Sequence, residues 1–308
     1  MIYITPSDDL QKIFDSLKGG ETLRLKKGVY RQKAVLSADG ITLTGEGCGQ
    51  TVITFDDYAR KIHADGQEYN TFRTYTLCVT GNGVKLENLT VQNSNTRPEE
   101  VGQCVALSVH GKNFRADGCE FVSTQDTVFL SPFPDDLVVR YRGFIPQSQL
   151  YTEGANVSLF ENCKISGNVD FIFGCGEGYF RNCEIISLAD SRGYGFIAAP
   201  AHTLAQENGF TFIDCNFING GAKDGSCYLA RPWRDFGKCA FINCTLGSHI
   251  RGELFDKWND TARDRTARFL YAGLKSPQPL SPVRWSYELN EEQAESIIIN
   301  CGKKFLSF

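Results

Sequence analysis

The chain has 308 residues and a formal net charge of −4, with 42% hydrophobic and 22% charged residues. This balance excludes a disordered, collagenous or coiled-coil chain, and without a basic excess to neutralise phosphates no nucleic-acid partner is expected. No apolar run is long enough to span a membrane, and the start, MIYITPSDDLQKIF, lacks a basic segment leading into a long apolar stretch, so no leader is visible and a cytoplasmic protein is expected.

In chain order, the first predicted element is a helix near residues 8–17, where Leu10, Ile13, Phe14 and Leu17 share one face. Strand signals follow. The 30 Gly and 22 Phe against a single Met lean towards a β-rich chain with many turns. A degenerate unit recurs as Gly118-Cys119-Glu120-Phe121, Asn162-Cys163-Lys164-Ile165, Asn182-Cys183-Glu184-Ile185, Asp214-Cys215-Asn216-Phe217 and Asn243-Cys244-Thr245-Leu246. Asn88-Leu89-Thr90-Val91 is a relative without the Cys, and Phe160, Phe180, Phe212 and Phe241 each stand two places before the Asn or Asp. Short alternating strands at such intervals leave no room for crossover helices and must stack to bury a face. The expected fold is all-β, a single-stranded parallel β-helix forming one domain over 1–308, with Asn and Cys stacked coil upon coil; a β-sandwich is the ordinary alternative. The stretch Ser131–Tyr151, with Arg140, Arg142 and Pro146, reads as a long loop interrupting the stack, of the kind that often carries function. A second helix is expected from Leu289 to Ile298, and the two short terminal helices are expected to cap the ends of the stack.

The twelve Cys form no C-x-x-C pair and the four His no i, i+4 pair, so neither a redox pair nor a metal site is expected. Several Cys lie in apolar strand segments, where a thiol serves as a small hydrophobe, and reduced, buried thiols are expected.

Four segments are chemically unusual: Gly102-Gln103-Cys104-Val105-Ala106-Leu107, Thr124-Gln125-Asp126-Thr127, Val169-Asp170-Phe171-Ile172-Phe173-Gly174 and Leu229-Ala230-Arg231-Pro232-Trp233. A carboxylate such as Asp170 is costly to bury unpaired. It must turn outward or hold a cation. No Gly-x-Ser-x-Gly elbow is present to supply a serine nucleophile.

In this order the four segments resemble the motifs of the pectin methylesterases, the pectinesterase family of carbohydrate esterases. Asp170-Phe171-Ile172-Phe173-Gly174 matches unchanged; Gln103-Cys104-Val105-Ala106-Leu107, Gln125-Asp126-Thr127-Val128 and Leu229-Ala230-Arg231-Pro232-Trp233 each differ by one residue, and weaker similarity covers about 6–305. The resemblance implies a right-handed parallel β-helix that removes methyl esters from galacturonan or methylated oligogalacturonides without metal or organic cofactor. It implies Asp170 as nucleophile, Asp126 as general acid/base, Gln125 and Gln103 as oxyanion donors and Arg231 as the cation beside Asp170. Trp233 and Phe171 would line the sugar groove. A monomer is expected. Asp126 and Asp170 stand 44 residues apart, about twice the family interval, and the extra length falls in Ser131–Tyr151. The competing readings are another pectin-active β-helix enzyme, a lyase or polygalacturonase, and a non-catalytic carbohydrate-binding β-helix.

Overall fold

The computed structural model describes residues 1–95, 97–150, 156–259 and 261–307. Among these, the strands form three parallel sheets of eleven, eight and seven members. Each coil gives one strand to each sheet in turn. Val157–Glu161, Lys164–Gly167 and Val169–Gly174 make one coil, and Glu177–Arg181, Glu184–Leu188 and Gly195–Pro200 make the next. Successive coils pair in register, Val157 with Glu177, Lys164 with Glu184 and Ile172 with Ala198. This is the expected parallel β-helix.

The recurring unit is the corner between the eleven- and eight-stranded sheets. Asn88, Asn162, Asn182, Asp214 and Asn243 all sit at φ between 53° and 55°, and Gly118 at 59°. That left-handed backbone is tolerated by Asn, Asp and Gly and strained for other residues. The next side chain turns inward. Cys119, Cys163, Cys183, Cys215 and Cys244 are at most 1% exposed. Each of the last four thiols reaches a main-chain carbonyl of the preceding coil, as Cys183 Sγ does to Phe160 O at 3.5 Å. All twelve cysteines are unpaired, eleven of them buried and Cys48 exposed.

In-register pairing puts equivalent side chains one strand spacing apart. Phe160, Phe180, Phe212 and Phe241 therefore stack face to face inside the helix, with successive centroids 4.9, 4.5 and 4.8 Å apart.

The first helix, Leu10–Ser16, is capped by Asp9 and buries Leu10 and Phe14 at the start of the stack. The second departs from expectation. It runs Glu291–Leu306, opens with an Asn290–Gln293 capping box, and lies along the outer face of the eleven-stranded sheet instead of over an end. The cause is that sheet's outward row of Leu159, Tyr179 and Ile242, which Ala294, Cys301 and Phe305 cover.

Nor is 131–150 a bare loop. It holds two short helices, Asp135–Arg140 and Gln147–Leu150, laid on the outer face of the seven-stranded sheet; Tyr151 lies outside the described residues. Its Phe133, Leu137, Tyr141, Ile145 and Leu150 meet Phe72, Phe129 and Phe173 in a second apolar core. Phe72 is its hub, with ring centroids 4.4 Å from Phe133 and 5.0 Å from Phe129. One face of one sheet thus gains a wall.

Candidate active site

Side chains far apart in sequence meet on that face because each lies within, just before or just after a strand of the seven-stranded sheet. Its strands run in the order Cys227–Ala230, Gly195–Pro200, Val169–Gly174, Val128–Leu130, Leu107–Val109. Main-chain bonds between coils set the level of each candidate residue. Cys104 N donates to Gln125 O at 3.0 Å, Asp126 N to Val169 O at 3.1 Å and Arg231 N to Ala198 O at 3.0 Å. Gln103, Gln125, Asp126, Asp170, Arg231 and Trp233 consequently line one cleft of ≈330 Å³.

Asp126 (φ 64°) and Asp170 (φ 51°) both hold left-handed backbones, and the sheet register shifts between Val169 and Ile172. Asp adopts that backbone more readily than most residues. Here it turns two carboxyls out of an otherwise apolar sheet into the cleft. Both remain nearly buried, Asp126 8% and Asp170 7% exposed.

Arg231 forks onto Asp170, donating Nε to Oδ1 at 2.8 Å and Nη2 to Oδ2 at 2.6 Å. Its guanidinium carbon is 3.7 Å from the Phe196 ring centroid and 3.9 Å from that of Trp258. A planar cation clamped in this way presents a fixed fork to a carboxylate. Burial raises the Asp170 pKa above the ordinary carboxylate value, while Arg231 pulls it back down. Burial, and then the charge of Asp170, drive Asp126 well above that value. Both are raised, Asp126 further, so Asp170 is the more readily ionised of the two.

The two Gln are half-buried neighbours of this pair. Gln125 pulls the Asp126 pKa down slightly against burial, and Arg192 Nη2 stands 3.5 Å from Gln125 Oε1, while Asp190 holds Arg192. Trp233 packs edge-on against Phe173 at 5.7 Å and forms an apolar side of the cleft with Leu137 and Tyr141.

One expectation fails. Phe171 is fully buried in the interior core and does not line the groove. Asp170 points out, so alternation turns its neighbour inward. The register shift adds Ile172 to the interior, and Phe173 is the ring that reaches the cleft. Sequence reasoning also missed Trp258, Phe196 and Arg192. Leu137 and Tyr141 were missed as well, although their i, i+4 apolar spacing inside the long connection was a usable signal. Trp258, at φ 71° outside any regular element, carried no such signal.

Comparison with known proteins adds a separate line of observation. A family model described as Pectinesterase matches residues 3–132 and 135–285. Pectinesterase 31 from Arabidopsis thaliana is 30% identical over 298 residues, covering 92% of this chain and 84% of that protein. The pectin methylesterase from Yersinia enterocolitica superposes with a TM-score of 0.75 at 25% identity, covering 92% of this chain and 93% of that one. A pectin methylesterase solved in complex with a hexasaccharide shares the fold, with a TM-score of 0.77 at 22% identity over 94% of this chain and 91% of that one. The family match runs through every coil that carries Gln103, Asp126, Asp170 and Arg231, and the chain accordingly belongs to the pectinesterase family and is an esterase.

Proposed function

We propose that the protein hydrolyses methyl esters of galacturonate units in pectin or methylated oligogalacturonides, releasing methanol and leaving a free carboxylate. The observation that carries this reading is the pairing, in one cleft, of an Arg-clamped Asp170 with a buried Asp126 that holds its proton more tightly. The hexasaccharide held by a related methylesterase supports an oligosaccharide occupant.

The Asp170 carboxylate attacks the ester carbonyl and forms an acyl-enzyme anhydride. Amide hydrogens of Gln103 and Gln125 receive the developing oxyanion; one such donor is typically worth about 3 kcal/mol. Asp126 gives its proton to the departing methoxide, which leaves as methanol. The Asp126 carboxylate then takes a proton from water as that water attacks the anhydride, and release of the galacturonate restores Asp170 as carboxylate and Asp126 as acid. Arg231 keeps Asp170 charged and aimed throughout. Trp233 offers a flat apolar face to the sugar ring.

The test measures methanol and new reducing ends together, on methylated oligogalacturonides and on pectin. Methanol without new reducing ends is the expected result. New reducing ends without methanol would replace this reading with a chain-cleaving one.

A further inference from the structure

The Gln125 main chain is fixed on both sides. Its carbonyl accepts from Cys104 N at 3.0 Å, and the residue bridges to Val169 of the next coil. What remains to be set is which way its side-chain amide faces. One end is an acceptor oxygen and the other a donor nitrogen, and only the nitrogen can receive a developing oxyanion. Asp126 works against that orientation. It lies close enough to feel Gln125 and holds its proton more tightly than Asp170. A protonated carboxyl donates to an amide oxygen, so an amide left to itself would turn its oxygen to Asp126.

Arg192 supplies the opposing pull. Its Nη2 stands 3.5 Å from Gln125 Oε1. A guanidinium carries donors alone, so it draws the amide oxygen and repels the amide nitrogen, which is left to the cleft. The direction in which Gln125 acts on Asp126 agrees, since it lowers that pKa as an N–H donor does.

Arg192 is exposed, yet it is held. Asp190 Oδ1 accepts from Arg192 N at 2.9 Å and Nε at 2.8 Å, and Oδ2 from Nη2 at 2.7 Å. The Asp190 side chain is only 2% exposed, and a buried carboxylate requires such a partner. Gly193 N closes the turn onto Asp190 O at 3.0 Å. The two hydrogens of Nη2 can serve one acceptor each, Asp190 and Gln125.

We infer that Arg192, set in place by Asp190, is a positioning residue that holds the Gln125 amide with its N–H face towards the two carboxyls. The inference rests on the reading given under Proposed function, in which Gln125 receives the oxyanion.

The experiment has two readouts on the full chain. The first needs no substrate. The Gln125 side-chain amide signals, identified by their loss in Gln125→Ala, are followed in ¹H–¹⁵N spectra, and they shift in Arg192→Ala. The second is kcat and KM on fully methylated trigalacturonate, each protein at its own pH optimum because Arg192 also lowers the pKa of both carboxyls. Gln125→Ala lowers kcat on the order of a hundredfold, the scale of one lost oxyanion donor. Arg192→Ala lowers kcat roughly tenfold at unchanged KM, as when one amide in ten faces correctly. Added to Gln125→Ala, it lowers kcat no further, because a residue that acts only through another has nothing left to act on. Arg192→Lys keeps a cation for the buried Asp190 but a point charge cannot span both acceptors, so it folds as the natural protein does and shows the same pattern in smaller degree. Losses that multiply in the double variant, a raised KM with kcat intact, or Gln125 signals that ignore Arg192 overturn the inference. Gln125 signals that depend on Arg192 in a protein that releases no methanol leave the positioning standing and remove the methylesterase reading instead.

Discussion

Asp126 and Asp170 show how one sheet face gives two carboxyls different environments. Burial acts on both, but only Asp170 receives the guanidinium fork. The rate should rise with pH as Asp170 ionises and fall as Asp126 loses its proton. Arg231 lowers the Asp170 pKa, so Arg231→Gln moves the acid limb of the kcat/KM profile to higher pH and lowers its plateau. A limb that stays in place would separate Arg231 from Asp170 ionisation. Asp126 makes a second, opposite demand on stability. Its folded-state pKa lies well above the ordinary 3.8, so the native state binds more protons and loses stability as pH rises from that value towards the folded one. Asp126→Asn should therefore abolish most methanol release yet raise the melting temperature at neutral pH, a gain on the order of 1 kcal/mol. The gain should vanish below about pH 4, where both states are protonated. A purely structural Asp126 would give the reverse, a less stable variant. The motif residues around these two were legible because polar side chains in apolar strands demand an explanation. Phe171 was misassigned because proximity in sequence to Asp170 was weighed above the alternation that turns it inward.

At the scale of the element, the coil corner carries much of the information in the sequence. A recurring Asn, Asp or Gly followed by a small buried residue is what a left-handed corner with a tight interior requires, and it could be read despite uneven spacing. Asn182 tests the point, since its φ is 53° and Gly118 fills the equivalent corner two coils earlier. Asn182→Ala should cost about 1–2 kcal/mol, the penalty of a Cβ in that conformation. Asn182→Gly should cost less, because it fits the backbone and pays only in chain entropy. Urea midpoints of the three proteins give the order, and an Ala variant as stable as the Gly variant would remove the conformational argument. The C-terminal helix marks the limit of such reading. A helix was expected over Leu289–Ile298, but a local sequence names the helix and not the surface that receives it. That surface, the outer row Leu159, Tyr179 and Ile242, is assembled from several coils. The same holds for residues 131–150, whose helices form over an aromatic cluster brought together only by the stack.

For the whole molecule, the added wall is pinned on both sides. Arg73 holds Phe144 at one side. At the other, Arg234 forks onto Asp136, Nε to Oδ1 at 3.1 Å and Nη2 to Oδ2 at 2.7 Å. These ties join the wall to coils on either side of the two carboxyls. On the function proposed above, a wall placed in this way would shorten the cleft, so that few sugars would align a short substrate and contacts further along the stack would align a polymer. Deleting the whole segment would expose Phe72, Phe129 and Phe173 and is a poor probe. Asp136→Ala is better, since it cuts one tie at a largely exposed pair whose contribution to stability is below about 1 kcal/mol. The variant should melt almost as the natural protein does. Its kcat/KM on a methylated trimer should fall roughly threefold to tenfold, the scale of a modest loss of alignment, while that on polymer changes less. Equal losses on both would mean that the wall only shelters the aromatic cluster. Loss on polymer alone would mean that the cleft is open past the wall, and that the segment guides long chains instead of closing on short ones.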